Sequence, residues 1–177
     1  IGVIRPGALA AVRRTRNKRV GVIGTRATVE SRAYETAVAR VDPAVSVYSQ
    51  SCPLFVPLVE TGWLNGSVCR MVSEQYLEPL RRHRIDTLIL GCTHYPLLAS
   101  TIRRVMGGGV AMIDSAKETV AEVRGMLMGA DLLCDQHVKP RHRFFVTDEP
   151  DHFTQLGEQF LGRSIRSVER VNYRYAS

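Results

Sequence analysis

Short apolar runs alternate with longer segments of helical periodicity along most of this 177-residue chain. The run at residues 87–91 is too short for a helix and is bounded by polar residues, which is typical of a buried strand. Regular alternation of strand and helix predicts an α/β fold: a mostly parallel sheet with helices on both faces. The predicted strands are residues 1–4, 20–24, 45–48, 87–91 and 110–113, with two more near 143–147 and 165–171.

Capping residues and apolar spacing locate the predicted helices. Thr28 can cap a helix over residues 29–40, and Asp42-Pro43 ends it. Residues 67–83 place apolar side chains on one face, as a helix packed on a sheet requires. The other predicted helices are residues 7–16, 57–64, 96–106, 115–128 and 151–161.

The composition excludes several classes of protein. With 45% hydrophobic and 23% charged residues, the chain has an ordinary globular composition. No apolar run approaches the roughly 20 residues that a membrane-spanning helix needs, and no leader precedes the first strand, so we expect a cytoplasmic protein. Four cysteines without a paired motif favour free thiols. The start at Ile1, rather than at a methionine, suggests a fragment of a longer protein.

The net charge of +7 raises the alternative of a nucleic-acid partner. Much of this charge lies in two arginine-rich runs, residues 13–19 and 81–84, at the ends of predicted helices. Aromatic residues, on which bases could stack, are only 7% of the chain. We therefore interpret both runs as solvated surface and expect no nucleic acid and no membrane as partner.

Polar loops follow three of the predicted strands. Ligands of parallel α/β sheets bind beyond the carboxyl ends of the strands, so these loops are predicted to share one edge of the sheet. Their sequences are GTRAT at residues 24–28, SQSCP at residues 49–53 and GCTHYP at residues 91–96.

Cys92, in the last of these loops, is the candidate reactive residue. Backbone amides that open a helix at Pro96 would favour its thiolate, so we expect a pKa below the usual value of about 8.5. His94 could stabilise the thiolate or relay a proton, and the Thr93 hydroxyl could bind a carboxylate. A buried inert cysteine is the alternative, but the adjoining Thr93 and His94 favour a reactive one.

Two other chemistries are alternatives for this loop: metal binding and cysteine-dependent hydrolysis. A single Cys-x-His without a second ligand pair falls short of a zinc motif, so no metal is expected. A cysteine hydrolase would need a base from elsewhere, because residues two apart on a strand are separated by roughly 6.5 Å. His83 and His137 are the candidates for such a base.

Five segments are distributed over most of the chain: VIRPGALAA, VGVIGTRATVESRAY, SCPLFVPLVETG, GCTHYPLL and MIDSAKETV. They resemble motifs of glutamate racemases, which interconvert L- and D-glutamate for peptidoglycan without a cofactor. The resemblance implies two similar α/β lobes with the substrate glutamate between them. Residues 5–113 would form the second lobe, and residues 1–4 and 114–177 would belong to an incomplete first lobe.

The resemblance also implies a mechanism with two cysteines, one on each face of the substrate. Cys92 would be the cysteine of the second lobe, Thr93 and His94 would contact the substrate or assist, and Glu60 would polarise His94. The family's Asp-Ser-Gly and Cys-Asn-Thr motifs, the latter with the first catalytic cysteine, do not occur here. We therefore expect the chain to be inactive alone.

Several alternatives remain at this level. Thr25 and Thr28 are expected to reach the substrate carboxylate, although threonines in such loops more often cap helices. The substrate could be aspartate or another amino acid. The chain could also be a non-catalytic fragment, and a second copy of the chain could be its partner. The remaining cysteines, Cys52, Cys69 and Cys134, are interpreted as structural.

Overall fold

The computed structural model describes residues 1–134 and 140–172. The chain divides into two compact units, Ile1–Leu133 and Cys134–Ser177. His137, one of the candidate bases, lies outside the described residues.

The first unit is built on a parallel sheet in the order β2-β1-β3-β4. Because all pairs are parallel, the carboxyl ends of these strands lie at one edge. The strands are β1 (Arg19–Gly24), β2 (Ser46–Ser51), β3 (Thr87–Leu90) and β4 (Ala111–Asp114).

Helices cover both faces of this sheet, as the alternating sequence pattern predicts. One face is packed around Leu77, Leu88 and Ile102, and the other around Val38 and Ile89. This arrangement confirms the predicted α/β class. The helices are α1 (Ile4–Arg14), α2 (Arg26–Glu30), α3 (Ala33–Val41), α4 (Phe55–Glu60), α5 (Ser67–Arg82), α6 (Ala99–Met106) and α7 (Ser115–Gly129), with a 3₁₀ helix at Tyr95–Leu98.

The second unit contains a parallel pair of strands, β5 (Phe144–Val146) and β6 (Val168–Arg170), connected through α8 (Pro150–Leu161). The Ile165 side chain is buried, and its backbone N–H donates to Glu158 at 2.9 Å. These elements fall where the sequence pattern predicts two strands and a helix.

Two of the predicted elements are wrong. Residues 1–4 do not form a strand: Ile1 and Val3 are exposed, and α1 begins at Ile4 with Pro6 in its first turn, where the fixed φ of proline suits a helix. The predicted helix 29–40 is two helices, α2 and α3, because Arg32 adopts a left-handed φ of 51° between them.

The arginine-rich runs lie where the sequence places them, at helix ends before strands. Arg13 and Arg14 are in the last turn of α1. Arg81 and Arg82 are in the last turn of α5, where both contact the half-buried Glu78. None of the helices within the described ranges combines the length and apolar character needed to cross a membrane.

Candidate active site

Backbone hydrogen bonds hold the three polar loops side by side at the carboxyl edge. The Gly91 N–H donates to the carbonyl of Ile23 at 2.8 Å, and the Cys52 N–H donates to the carbonyl of Gly24 at 2.9 Å. The loops after β2 and β3 are therefore both fixed to the end of β1. This confirms the geometric expectation that the three loops meet.

The chain turns sharply directly after β3. A Cβ on Gly91 would lie 2.8 Å from the Ile23 carbonyl oxygen and 3.0 Å from the Tyr34 ring, so the backbone packs too closely for a side chain. The Tyr95 N–H then donates to the Cys92 carbonyl at 3.3 Å, which starts the 3₁₀ helix. Cys92 thus lies in the turn and not in the strand.

The turn brings together the three residues expected to act in catalysis. His94 Nδ1 lies 3.8 Å from Cys92 Sγ, within hydrogen-bonding distance for sulfur, and His94 Nε2 lies 3.2 Å from Glu60 Oε1. The expectation that Cys92 and His94 are out of direct reach is wrong, because it assumed a continuing strand. Glu60 is the last residue of α4, far upstream in sequence.

Aromatic packing explains why α4 comes so close to this turn. The buried Tyr95 ring packs edge-on against Phe55 of α4, with ring centroids 5.2 Å apart, and its hydroxyl donates to the Cys52 carbonyl at 3.0 Å. Tyr95 follows His94 directly, so the same contact that buries Tyr95 places His94 beside Glu60.

The pKa of the Cys92 thiol is raised, and the expectation of a lowered value is wrong. Burial is the largest cause, and the Glu60 carboxylate also contributes. Hydrogen bonds from the backbone of His94 and Tyr95 and from the Thr93 side chain lower the pKa, as the helix-start argument predicts, but do not outweigh burial. The resting form of Cys92 is therefore the thiol.

The three threonines take different positions. The Thr93 hydroxyl lies 3.4 Å from His94 Nδ1, in the same turn as Cys92. Thr25 caps α2 by accepting from the Thr28 N–H at 3.4 Å, and the two hydroxyls lie 3.1 Å apart. The helix-capping alternative therefore describes Thr25, in place of the cap expected from Thr28. Contact of Thr25 and Thr28 with a substrate stays a prediction.

A small pocket of about 90 Å³ opens beside Cys92. Tyr34, Asp114 and Ser115 line it together with Cys92 and Thr93, and sequence reasoning did not single out the first three. The signal for two of them was available: Asp114 ends β4 and Ser115 follows it, so both lie at the edge where the other loops meet.

The remaining cysteines and His83 lie outside this group. Burial raises the pKa of the Cys52 thiol, and Cys69 is buried with its sulfur 3.4 Å from the Leu64 carbonyl. Cys134 is exposed. His83 stacks on Tyr48 with ring centroids 3.9 Å apart and follows the last residue of α5. In the described ranges, no three His, Cys, Asp or Glu side chains are grouped to hold a metal ion.

Comparison with known proteins identifies the family of this chain. Residues 1–123 match the family model for Asp/Glu/Hydantoin racemase. This chain belongs to that racemase family. The resemblance seen in the sequence motifs is thereby confirmed.

Similar proteins of this family include glutamate racemases from several bacteria. The chain is 46% identical over 171 residues to that of Syntrophus aciditrophicus, covering 97% of this chain and 63% of the relative. Among solved structures, glutamate racemase RacE1 of Bacillus anthracis superposes with a TM-score of 0.91 at 42% identity, over 97% of this chain and 64% of that one. The chain thus spans less than two thirds of the length of these relatives.

A third relative was solved with a ligand. The glutamate racemase of Francisella tularensis, in complex with D-glutamate, has a TM-score of 0.86 and 34% identity, covering 96% of this chain and 62% of that one. It provides an experimental fold for nearly all of the present chain.

Proposed function

We propose that this chain supplies one half of the active site of a cofactor-independent glutamate racemase, with Cys92 as one of its two acid/base thiols. The contact series from Cys92 Sγ through His94 to Glu60 carries the proposal. The substrate assignment rests on relatives that are glutamate racemases, one of them holding D-glutamate.

The proposed reaction inverts the α-carbon of glutamate by moving one proton. A thiolate on one face removes the α-proton, and a thiol on the other face donates a proton to the resulting carbanion. Cys92, resting as a thiol, is prepared to act as the donor. The opposite thiol would come from outside this chain, as the missing Cys-Asn-Thr motif implies.

His94 would allow Cys92 to act in the reverse direction as well. When His94 Nε2–H donates to Glu60, the lone pair of Nδ1 faces Cys92 and can accept the thiol proton. The Glu60 carboxylate then stabilises the imidazolium, and the imidazolium stabilises the thiolate. Glu60 therefore serves as a positioning residue for the His94 ring.

The test is racemisation by the complete gene product, followed by circular dichroism of D-glutamate. We expect Cys92→Ala to abolish turnover with an unchanged melting temperature, because no other thiol lies in this turn. Cys134→Ser, at an exposed cysteine, is the matched control and should retain wild-type turnover. Turnover by Cys92→Ala at near wild-type rate would contradict the assignment.

The same assay separates glutamate from the alternative substrates. L-Aspartate has the same α-carbon chemistry and a side chain one methylene shorter, a difference that a pocket discriminates by about 10- to 200-fold. We expect kcat/KM to favour glutamate. A preference for aspartate would keep the two-thiol chemistry and overturn the substrate assignment.

A further inference from the structure

A second group of side chains lines the Cys92 pocket outside the Cys92–His94–Glu60 series. Tyr34, on α3, is only 2% exposed, and its hydroxyl lies 2.8 Å from the hydroxyl of Ser115, the first residue of α7. Ser115 is itself buried, so the hydrogen bond is shielded from water. It joins residues far apart in the chain at the edge where the polar loops meet.

The Tyr34 ring supports the turn that carries Cys92. It lies so close to Gly91 that a Cβ there would stand 3.0 Å from the ring, which leaves the backbone before Cys92 no room to move toward it. On its other side, the pair meets α1: a Cβ on Gly7 would lie 2.7 Å from the Ser115 hydroxyl oxygen and 3.5 Å from the Tyr34 ring. The hydroxyl pair is therefore packed between two backbone segments.

Ser115 also belongs to the start of α7, which lines the pocket. It directly follows Asp114, whose carboxylate caps α7 by accepting from the N–H groups of Ala116 and Lys117 at 3.0 and 3.3 Å. A shift of Ser115 would therefore move the start of α7 relative to Cys92. The Tyr34–Ser115 hydrogen bond connects α3 to the start of α7 at the lining of the pocket.

We propose that Tyr34 and Ser115 are positioning residues that hold the Cys92 turn at a fixed distance from the start of α7. This role rests on the proposed function, since it sets where the reactive thiol stands relative to a substrate. Displacement of a reacting group by about 1 Å can lower the rate by a large factor, so we expect loss of this hydrogen bond to lower kcat.

The surroundings of Tyr34 favour the protonated hydroxyl. Burial raises the pKa of Tyr34 and the nearby Cys92 raises it further, whereas the hydrogen bond to Ser115 lowers it without outweighing burial.

A double-mutant cycle in the complete gene product tests the proposal. We expect Tyr34→Phe and Ser115→Ala each to lower kcat about tenfold with little change in KM, and the double variant to lose no more than either single one, because both remove the same hydrogen bond. Tyr48→Phe is the control, since Tyr48 stacks on His83 outside the Cys92 pocket and phenylalanine keeps that ring contact.

A second readout does not depend on racemase activity. With the hydrogen bond gone, the turn should admit solvent, so iodoacetamide should alkylate Cys92 faster in Tyr34→Phe and Ser115→Ala than in wild type or Tyr48→Phe. Wild-type kcat and wild-type alkylation in both variants, even with a lower melting temperature, would overturn the positioning role. An inactive wild-type protein whose alkylation still responds would reject only the racemase assignment.

Discussion

The carboxylate of Glu60 has two opposite effects on the Cys92 thiol. Its negative charge contributes to the raised pKa of Cys92, but its contact with His94 Nε2 orients the ring that lies against Cys92 Sγ. Removal of the charge should therefore lower the thiol pKa and at the same time weaken the proton relay. Thiolate fraction and catalytic rate would then change in opposite directions.

The variant Glu60→Gln tests this separation. Iodoacetamide reacts with the thiolate, so the rate of Cys92 alkylation should rise with pH, and its midpoint in wild type should lie above the usual value of about 8.5. In Glu60→Gln we expect this midpoint to move to lower pH while kcat for racemisation falls about tenfold or more. Glu74→Gln, at an exposed glutamate paired with Arg70, should change neither quantity. An unchanged kcat in Glu60→Gln would show that Glu60 has no role in catalysis and is only a surface acid.

At the scale of elements, the close packing of the end of β3 against β1 determines the position of the Cys92 turn. A Cβ on Gly91 would lie 2.8 Å from a backbone oxygen, Ile23 O, and backbone cannot move aside as a flexible side chain can. We expect Gly91→Ala to destabilise the protein by about 1–3 kcal/mol, the usual cost of overpacking, and to lower turnover. Urea unfolding and the racemisation assay measure the two effects.

Gly108→Ala is the matched control for this substitution. Nothing lies within 4 Å of a Cβ at Gly108, and its φ is not positive. The free energy of unfolding should therefore stay within about 0.5 kcal/mol of wild type. Equal destabilisation by the two substitutions would show that the close packing at Gly91 is not the cause.

At the scale of the whole molecule, the described residues place one candidate thiol, Cys92, beside a pocket, whereas inversion needs an acid and a base on opposite faces of the α-carbon. We expect the 177-residue chain on its own to show no racemisation of L- or D-glutamate by circular dichroism, and the complete gene product to show it. Turnover by the 177-residue chain at a rate near that of the complete protein would contradict the two-thiol mechanism.

The sequence alone determined the α/β class, the loops that share the carboxyl edge and the choice of Cys92 and His94 as candidate residues. These follow from periodicity and local order, which are readable because strand and helix differ in period. Residues 1–4 and 29–40 were mispredicted because apolar runs do not distinguish an exposed terminus from a strand, and a left-handed residue such as Arg32 leaves no compositional mark.

Only the tertiary structure decided which distant groups lie around Cys92. Glu60 reaches His94 because Tyr95 packs on Phe55. Tyr34 of α3 reaches Ser115 of α7 where both side chains pack against Gly7 of α1. The pKa shift of Cys92 also has the opposite direction to the one predicted from sequence. Burial, which raises the pKa, depends on everything packed around the thiol, whereas the backbone amides that lower the pKa lie next to Cys92 in sequence. Local sequence specifies the chemical groups, and long-range packing sets their distances and their exposure to water.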